Sequence, residues 1–384
     1  MEETMNIVIA MDSFKGSLSS IEAGTVIKNT IEKVMPDADV RVCPLADGGE
    51  GTVETLTLGM GGALETITVT GPLGKPVKCV YGLLADSQTA IIEMSGAAGI
   101  TLVPAQDRNP LHTTTYGVGE VIKDAILKKC RHFIIGIGGS ATNDGGAGML
   151  QALGYGMLDE NGNQIPLGAK GLQKLCTITD TSVLPALKAC SFQIACDVTN
   201  PLCGTQGCST VFGPQKGADA AMIAQMDQWL AHYAVLTAQK YPHADANRAG
   251  TGAAGGLGFA FLSYMNAVLE SGVKIVLEET KLEDYIRSAD LIVTGEGKLD
   301  GQTIFGKAPV GVAGIAKKYG KKVIAFSGCA TEDAAACNQH GIDAFFPVLR
   351  DIQTREEAMT AENAAKNLSA TAEQVFRFLN LLSN

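Results

Sequence analysis

The constraint that most limits the fold is a strand–helix alternation that occurs at both ends of the chain. An apolar strand over 6–11 is followed by a helix starting at Ser19, where Glu22 completes a candidate capping box. A second strand follows at 40–44, and the chain from 290 onward repeats the same order. Such alternation is typical of a parallel sheet with helices on both faces. We therefore predict a doubly wound α/β domain that uses both ends of the chain.

The middle of the chain has a different pattern. Predicted strands at 65–70, 77–84 and 89–94 are separated by short turn-like links, which favour antiparallel pairing. Helices and further strands follow. The fold class is therefore α/β with two domains: a doubly wound parallel-sheet domain interrupted by a mixed α/β domain. We place the first domain at 1–70 and 287–384, and the inserted domain at 71–286.

The composition limits the partners. The 384 residues are 46% hydrophobic and 18% charged, so the chain can bury a core in each domain. The formal net charge is −10, which is unlike the clustered basic charge that binds nucleic acid. Apolar runs are far shorter than the roughly 20 residues of a membrane span. We expect no nucleic-acid or membrane partner, and any anionic substrate needs a local binding device.

The cysteines and histidines indicate the compartment and the metal content. The ten cysteines form no CxxC pair, and the N-terminus lacks the pattern of a signal peptide. We therefore expect reduced thiols and a cytoplasmic location. The five histidines have no ligand-like spacing, so we do not expect a structural zinc site.

The first candidate site is the loop 12–17, which follows the first strand. A lysine among hydroxyls and glycine at a helix entrance can hold a carboxylate or a phosphate, and this loop contains Ser13, Lys15 and Ser17. Ligands of open α/β sheets bind at such strand ends. The alternative is a capped turn with a solvated lysine.

A second loop, 47–52, follows the second strand. Asp47 and Glu50 lie among three glycines at the start of a predicted helix. Carboxylates in such a position can hold Mg²⁺. They can also act simply as charged residues at the positive end of a helix.

A glycine-rich segment over 136–146 is the most distinctive of these motifs. Successive backbone N–H groups and small hydroxyls at a helix start form an anion cradle, with Gly138, Gly139, Ser140, Asn143 and Asp144 as its members. The segment also matches the dinucleotide fingerprint G-x-G-x-x-A, with Asp159 at the expected distance. A third interpretation is close packing of a helix on a strand.

The segment 195–204 follows another apolar strand. Asp197, with Asn200 three residues later, suits a general base or a metal ligand, although an Asp that only orders the turn before Pro201 is an equal alternative. We interpret Cys196 as a packing residue, because its neighbours are apolar and no histidine is near it in sequence.

The glycine run 250–258 precedes a predicted helix over 256–269. Its glycines, Gly255 and Gly256 among them, either bind phosphate or let two backbone segments approach closely.

The last candidate segment, 294–308, contains Glu296, Lys298 and Asp300 directly after a predicted strand over 290–294. It also contains G-x-x-x-x-G-K, but Ala308 stands where a P-loop needs Ser or Thr to reach Mg²⁺. We therefore reject the P-loop, while Lys298 or Lys307 can still bind phosphate or be solvated surface charges.

Taken together and in order, six motifs resemble the bacterial glycerate kinase family of the first type. They are Asp-Ser-Phe-Lys-Gly-Ser (12–17), Pro-Leu-Ala-Asp-Gly-Gly-Glu-Gly-Thr (44–52), Gly-Ile-Gly-Gly-Ser-Ala-Thr-Asn-Asp-Gly-Gly (136–146), Asp-Val-Thr-Asn-Pro-Leu-Cys-Gly (197–204), Gly-Ala-Ala-Gly-Gly-Leu-Gly (252–258) and Thr-Gly-Glu-Gly (294–297). The resemblance spans nearly the whole chain. It implies ATP-dependent phosphorylation of glycerate with Mg²⁺, giving 2-phosphoglycerate, and a site between two α/β domains.

A kinase works mainly by positioning and charge neutralisation, and from this we assign roles. Lys15 is expected to hold the glycerate carboxylate or the transferring phosphoryl group, and Asp197 to be the general base. Asp47, Glu296 and Asp300 are the candidate Mg²⁺ ligands. The remaining substrate and phosphate contacts are expected from Ser13, Ser17, Gly138, Gly139, Ser140, Asn143, Asp144, Asn200, Gly255 and Gly256.

Two rival functions are kept. One is a dinucleotide-dependent reductase of a small hydroxy acid, built on the segment 136–141. The other is a metabolite-sensing module that binds ATP or glycerate without turnover. D-glycerate is the expected substrate isomer, and the sequence leaves a homo-oligomer open.

Overall fold

The computed structural model describes residues 4–43, 45–46, 51–85 and 88–383. The strands are β1 (Asn6–Met11), β2 (Asp39–Val42), β3 (Ala63–Thr70), β4 (Pro76–Leu84), β5 (Thr89–Glu93), β6 (His132–Gly136), β7 (Gly156–Leu158), β8 (Thr177–Thr179), β9 (Ser191–Ala195), β10 (Ala267–Glu270), β11 (Leu291–Leu299), β12 (Lys322–Ala330) and β13 (Ala344–Pro347). The α-helices are α1 (Ser20–Val34), α2 (Thr52–Gly59), α3 (Ser95–Ala98), α4 (Tyr116–Leu127), α5 (Ala147–Ala152), α6 (Cys208–Phe212), α7 (Ala220–Lys240), α8 (Ala253–Tyr264), α9 (Gly272–Glu279), α10 (Leu282–Ser288), α11 (Ala308–Lys318), α12 (Arg355–Ala358) and α13 (Ala361–Ser383).

The chain divides into two compact units. The first unit consists of Met1–Asp47 and Val273–Asn384, and the second unit is Gly48–Gly272. These bounds differ from the 70/71 and 286/287 boundaries expected from the sequence. The strand at Ala63–Thr70 pairs antiparallel with β4 and so belongs to the second unit. Helix α10, in contrast, packs on β1 and α11 of the first unit.

The first unit contains a parallel sheet in the order β13-β12-β11-β1-β2. The β1–β11 pairing, Ile7 opposite Leu291, joins the two ends of the chain in one sheet. Helices α1 and α13 pack together over one face of this sheet and form one apolar cluster with its strands. Helix α11 contacts β1 and β11 and contributes no residue to that cluster. Residues 7–11 of β1 are all buried, as expected for a strand covered on both faces. The predicted doubly wound parallel sheet is confirmed.

Helix α1 forms where the sequence predicts it. Ser19 and Glu22 make the reciprocal capping box, which satisfies two backbone donors that the helix leaves unpaired. Ala23, Ile27 and Ile31 recur at helical spacing and are fully buried against the sheet. This packing, rather than helix propensity, provides most of the stability of such a helix.

The second unit contains a mixed sheet in the order β10-β9-β6-β5-β4-β3. Strands β10, β9, β6 and β5 are parallel, and β5, β4 and β3 are antiparallel, which confirms the predicted mixed domain. Gly136, the last residue of β6, lies opposite Ala195, the last of β9. The loops that follow these two strands therefore start at the same edge of the sheet.

Two predicted elements have different bounds. The helix expected over 256–269 ends at Tyr264, and the chain continues into strand β10, because residues 267–270 pair in parallel with β9. The strand expected over 290–294 continues to Leu299, since Lys298 and Leu299 pair with Cys329 and Ala330 of β12. Within the described residues, no helix combines the length and apolar character needed to cross a membrane.

Candidate active site

A cavity of about 750 Å³ lies within the first unit, a volume typical of small-molecule sites. Its wall combines the loop after β1, the end of β11 and the segment that follows it, the end of β12, the segment after β13 with α12, and the start of α13. Four basic side chains line it: Lys15, Lys298, Lys307 and Arg355. Asp12, Glu296 and Asp300 line it as well. In a chain of net charge −10, such a group of basic side chains is a candidate for the local anion-binding device predicted from the composition.

The loop after β1 brings Ser13, Lys15 and Ser17 to this cavity. Buried Asp12 fixes the start of the loop, because its backbone N–H donates to the Gly295 carbonyl (2.8 Å) and its carboxylate accepts from the Ser13 N–H (2.7 Å). The Ser17 hydroxyl donates to the Phe14 carbonyl at 2.8 Å and so stabilises the turn. Lys15 is exposed at the rim. The structure thus places the predicted residues around one cavity, and their ligand contacts stay predictions.

Glu296 and Asp300 lie in the same cavity and are connected through Lys307. Nearly buried Glu296 accepts a hydrogen bond from the Thr303 hydroxyl (2.7 Å) and pairs with the Lys307 ammonium at 3.5 Å. Lys307 also lies 3.5 Å from Asp300, which pairs with Lys298 at 3.2 Å. The sequence left Lys307 undecided between phosphate and solvent; its two ion pairs place it within the cavity.

Burial and charge act differently on the two carboxylates. Burial raises the pKa of Glu296 above its ordinary value, against the hydrogen bond from Thr303 and the charge of Lys307. Burial also acts to raise the pKa of Asp300, but the hydrogen bond from Lys298 and the charge of Lys307 outweigh it and hold that pKa below its ordinary value. Asp300 is therefore the more readily ionised of the pair.

The predicted Mg²⁺ ligands stay a prediction, and the described carboxylates limit the form that such a site can take. Within the described ranges, no group of three or more His, Cys, Asp or Glu side chains is placed to hold a metal ion. Asp47 and Glu50 lie outside the described residues. Magnesium, however, is commonly held by one or two carboxylates together with substrate phosphates and water. Glu296 and Asp300 fit that limited role, and they do not form a protein-only cage.

The second unit presents a separate anion-binding geometry in the loop after β6. Gly138 and Gly139 are exposed at the end of the strand. In the described part of the chain, the backbone N–H groups of Gly138, Gly139 and Ser140 donate to no protein acceptor. Successive unpaired N–H groups of this kind attract an anion, and anion binding by this loop stays a prediction.

Hydrogen bonds from three sides fix this loop. The Ile100 N–H donates to the Gly139 carbonyl (2.8 Å), and the Ala141 N–H donates to the Ala98 carbonyl (2.9 Å). The Thr113 hydroxyl donates to the Ala141 carbonyl at 2.8 Å. A loop tied down in this way keeps its free donors in place before a ligand arrives, which is how a preorganised site gains affinity.

Asn143 and Asp144 are fully buried and anchor the loop from below. The Asp144 carboxylate accepts from the Thr115 N–H and hydroxyl, both at 2.9 Å, and from the Gly146 N–H at 3.2 Å. Burial raises the pKa of Asp144 despite these hydrogen bonds. Asn143 donates to the Ser209 hydroxyl at 2.8 Å, while its own Oδ1 is buried without a partner among the described residues.

Lys216 is the residue of this site that sequence reasoning missed. Its side chain is 2% exposed, and its ammonium donates to the Ser140 hydroxyl oxygen (2.7 Å) and the Thr142 carbonyl (2.6 Å). Burial lowers its pKa to about 8. Nothing in the surrounding Pro-Gln-Lys-Gly sequence signals this contact, because the partners lie about 75 residues earlier in the chain.

Gly255 and Gly256 support the loop through close backbone approach. The Gly145 N–H donates to the Gly255 carbonyl at 2.9 Å, and a Cβ on Gly255 would lie 2.1 Å from the Thr142 carbonyl oxygen. Ala254, Gly255 and Gly256 all have positive φ, which breaks the start of α8. Of the two interpretations left open by the sequence, the structure displays the close approach, and phosphate contact stays a prediction.

The loop after β9 starts beside the cradle loop at the same sheet edge. Asp197 is exposed, and its Oδ1 accepts from the Gly272 N–H at 3.3 Å. The Asn200 side chain donates to the Gln206 carbonyl at 2.9 Å, which uses its amide to hold the loop. An exposed carboxylate can accept a proton from a substrate, which is compatible with a general base. The role of Asp197 stays a prediction.

Asp159 does not take the position that a dinucleotide site needs. Its Oδ1 accepts from the backbone N–H groups of Asn161 and Asn163, both at 2.9 Å, and so closes an exposed turn. A ribose-binding acid must instead present its carboxylate to the ligand. This removes the main support for the reductase interpretation.

The fold and these candidate sites define a class of protein. Loops at the carboxyl ends of parallel strands, with lysines in one unit and free N–H groups in the other, are typical of α/β enzymes that act on small anionic substrates. Comparison with known proteins then identifies the family.

The model of the glycerate kinase family matches residues 7–380. The chain is 48% identical to the glycerate 2-kinase of Escherichia coli (strain K12), covering 96% of this chain and 98% of that protein. It is 45% identical to the glycerate kinase of Bacillus subtilis (strain 168), covering 98% of each. The crystal structure of a proposed glycerate kinase 2 from Salmonella typhimurium LT2 superposes with a TM-score of 0.92 at 47% identity, covering 99% of both chains.

The chain therefore belongs to the glycerate kinase family. It is an enzyme, a kinase, and the alternatives of a reductase and a non-catalytic sensing module are set aside. The resemblance stated from six motifs is confirmed over nearly the full length.

Proposed function

We propose that this kinase transfers a phosphoryl group from ATP to D-glycerate and yields 2-phosphoglycerate, with Mg²⁺ as the metal. The observation that carries the proposal is the loop after β6, where three successive unpaired N–H groups and the Ser140 hydroxyl present donors for an anionic oxygen group. The name of the Escherichia coli relative, a glycerate 2-kinase, supports the choice of the 2-position.

The residues of the first unit suit an anionic substrate. Lys15 and Arg355 carry positive charge at the wall of the cavity, and a lysine or arginine holds carboxylate or phosphate oxygens through charge-assisted hydrogen bonds. We assign Lys15 to the glycerate carboxylate or to the transferring phosphoryl group. Arg355 comes from a C-terminal segment to which the sequence assigned no role.

Magnesium neutralises charge on the phosphates when it is bound. Asp300 and Glu296 are the described carboxylates that would approach it, together with Asp47 outside the described residues. Asp300 stays ionised because Lys298 and Lys307 lie close to it. Lys307 in turn would hold a phosphate oxygen between the two acids.

Asp197 is the residue we assign as general base for the acceptor hydroxyl. It is exposed at the end of β9, and the Gly272 N–H fixes one of its carboxylate oxygens. Such a base takes the hydroxyl proton as the bond to phosphorus forms, which typically contributes about 10²–10⁴ in rate.

The test is to incubate the protein with ATP, Mg²⁺ and D-glycerate and to identify the product by phosphorus NMR. We expect ADP and 2-phosphoglycerate, with L-glycerate as the isomer control and EDTA as the metal control. Formation of 3-phosphoglycerate would contradict the assigned position. Absence of ADP formation would contradict ATP as the donor, and turnover in EDTA would contradict the metal.

The cytoplasmic location stays a prediction that we include in the proposal. It is supported by the thiols, since all ten cysteines are free and six of them, at 43, 79, 130, 190, 208 and 337, are buried. Reduced cysteines are usual in that compartment.

A further inference from the structure

The burial of the Lys216 ammonium is not compensated by an ion pair. Its side chain is almost fully removed from water, and in the described residues no carboxylate lies within ion-pair distance of its ammonium. Burying an unpaired charge is costly. A buried lysine without an acidic partner is therefore expected to serve the groups that it contacts.

Those groups belong to the anion cradle. The ammonium donates to Ser140 Oγ and to the Thr142 carbonyl. An ammonium has no lone pair and cannot accept a hydrogen bond. The Ser140 hydroxyl must therefore direct its own hydrogen away from Lys216, and no acceptor for it is found in the described part of the chain.

The hydroxyl hydrogen thus joins a set of donors that already lacks partners. The N–H groups of Gly138, Gly139 and Ser140 are unpaired in the described structure, and Gly138 and Gly139 are exposed to an arriving ligand. The Thr142 Oγ1, in the same loop, is also buried without a partner there. The loop therefore has an excess of donors, with one positive charge behind it.

We propose that Lys216 is a positioning residue that makes the Ser140 hydroxyl an obligate donor to an anionic oxygen group of a substrate. The ligand class is a phosphate of ATP or the carboxylate of glycerate, which share this chemistry. The inference rests on the proposed function, since it assumes that the loop after β6 holds a substrate. Lys216 itself acts through Ser140 and the Thr142 carbonyl.

This arrangement predicts a pH dependence. The groups that face Lys216 are Asp144, whose charge favours the ammonium, and Cys208, whose pKa burial raises to about 11. Burial lowers the pKa of Lys216 to about 8, so the ammonium loses its proton as the pH rises through that value. A neutral amine can accept from Ser140, which lets the hydroxyl turn inward and away from the substrate.

The test compares Lys216→Met, Lys216→Arg and Ser140→Ala with Lys188→Met, which removes an exposed lysine of the same unit. KM for ATP, KM for glycerate and kcat are measured from pH 6.5 to 9.5, with melting temperature as the folding control. We expect Lys216→Met to raise one KM about 10–100-fold, as for loss of a charge-assisted contact, and the substrate whose KM rises identifies the ligand. In the wild type that KM should rise above about pH 8, and in Lys216→Met it should not change with pH.

A double variant separates the proposal from a structural role. If Lys216 acts through Ser140, Lys216→Met with Ser140→Ala should be no worse than the more severe single change. A lowered melting temperature with both KM values unchanged would overturn the inference. If Lys216→Met does not fold, a flat wild-type KM profile between pH 7 and 9.5 would also overturn it.

Failure of the proposed role of Lys216 and failure of the proposed function give different experimental results. If Ser140→Ala raises a KM and Lys216→Met does not, the cradle stands and the role of Lys216 is refuted. If Ser140→Ala leaves both KM values unchanged, the Ser140 hydroxyl is not a donor to the substrate and the inference is overturned, while the three backbone N–H groups remain in that variant and the proposed function is decided separately by the phosphorus NMR product assay.

Discussion

Replacing Gly255 with alanine is expected to damage both the stability and the activity of the kinase, because the residue touches the cradle loop through its backbone. Gly255 has φ of 66°, and an added Cβ would lie 2.1 Å from the Thr142 carbonyl oxygen. That carbonyl accepts from the Lys216 ammonium at 2.6 Å. The substitution therefore pushes on the acceptor that holds the buried lysine.

The magnitude follows from two separate costs. A left-handed conformation costs an L-residue roughly 1–2 kcal/mol. Crowding against a backbone atom that cannot rotate away adds about 1–3 kcal/mol, as in overpacked cores. We expect a loss of about 2–5 kcal/mol in the free energy of unfolding. Because a shift of about 1 Å at a site can cost roughly 10²-fold, kcat/KM should fall by that order.

Gly162→Ala is the matched control. Gly162 lies in the same unit with φ of 78°, but an added Cβ would meet nothing within 4 Å. This variant carries the conformational cost alone and should lower the melting temperature by about 2–4 °C for each kcal/mol lost in a domain of this size. Calorimetry and steady-state kinetics on both variants isolate the crowding. If Gly255→Ala matches Gly162→Ala in both measurements, the close approach is not what makes Gly255 necessary.

Three further outcomes are expected. Lys15→Ala should lower kcat/KM about 10–100-fold through loss of a charge-assisted contact, and the melting temperature should not change because the side chain is exposed. Lys33→Ala on α1 is the control, and equal kinetics for the two variants would remove Lys15 from the site. Asp197→Asn should lower kcat about 10²–10⁴-fold while keeping nucleotide affinity and the contact to the Gly272 N–H. A large loss of nucleotide affinity would instead indicate a metal ligand, and an unchanged kcat would exclude Asp197 as the general base. Asp144→Asn should lower the free energy of unfolding by roughly 3 kcal/mol near neutral pH, since the Thr115 N–H and hydroxyl would lose a charged acceptor. Because burial raises the folded pKa of Asp144, the folded wild type binds this proton more tightly than the unfolded chain and is stabilised as the pH falls, whereas the variant has no such proton. The difference between wild type and variant should therefore grow on acidification, and a difference that shrinks would refute the burial argument.

The parts of the fold that depend on local pattern could be predicted from the sequence. The Ser19–Glu22 capping box and the buried face of α1 follow from residues three and four positions apart, and the predicted strands at both ends form one parallel sheet. Boundaries that depend on partners distant in sequence could not be predicted. Leu299 continues β11 only because Ala330 of β12 lies beside it, and nothing in the local sequence shows that neighbour.

The same division holds for the candidate site. Glycines and hydroxyls after strands indicated the loops, because backbone donors and strand ends follow from local sequence. Lys216 and Arg355 could not be found this way, since one is brought to Ser140 from about 75 residues away and the other to the cavity by the C-terminal segment. A charged side chain gains its role from the fold around it, and a single sequence does not show that surrounding.

The net charge of −10 gives a physical reason for an anion site built from backbone N–H groups and one buried ammonium. Glycerate, ATP and phosphoglycerate are all anions, and a negatively charged protein repels them at long range. A broad basic surface would remove that repulsion but would also bind nucleic acid and other polyanions. Backbone N–H groups carry no net charge and act only at contact. If the proposed function is correct, a cradle of N–H groups with one shielded ammonium behind it holds a small anion that fits the loop, without attracting large polyanions to the surface. Adding exposed lysines near Gly138 should therefore raise the rate of substrate capture at low ionic strength and weaken discrimination against other anions. A rise in the capture rate that does not depend on salt, together with improved discrimination, would contradict this explanation.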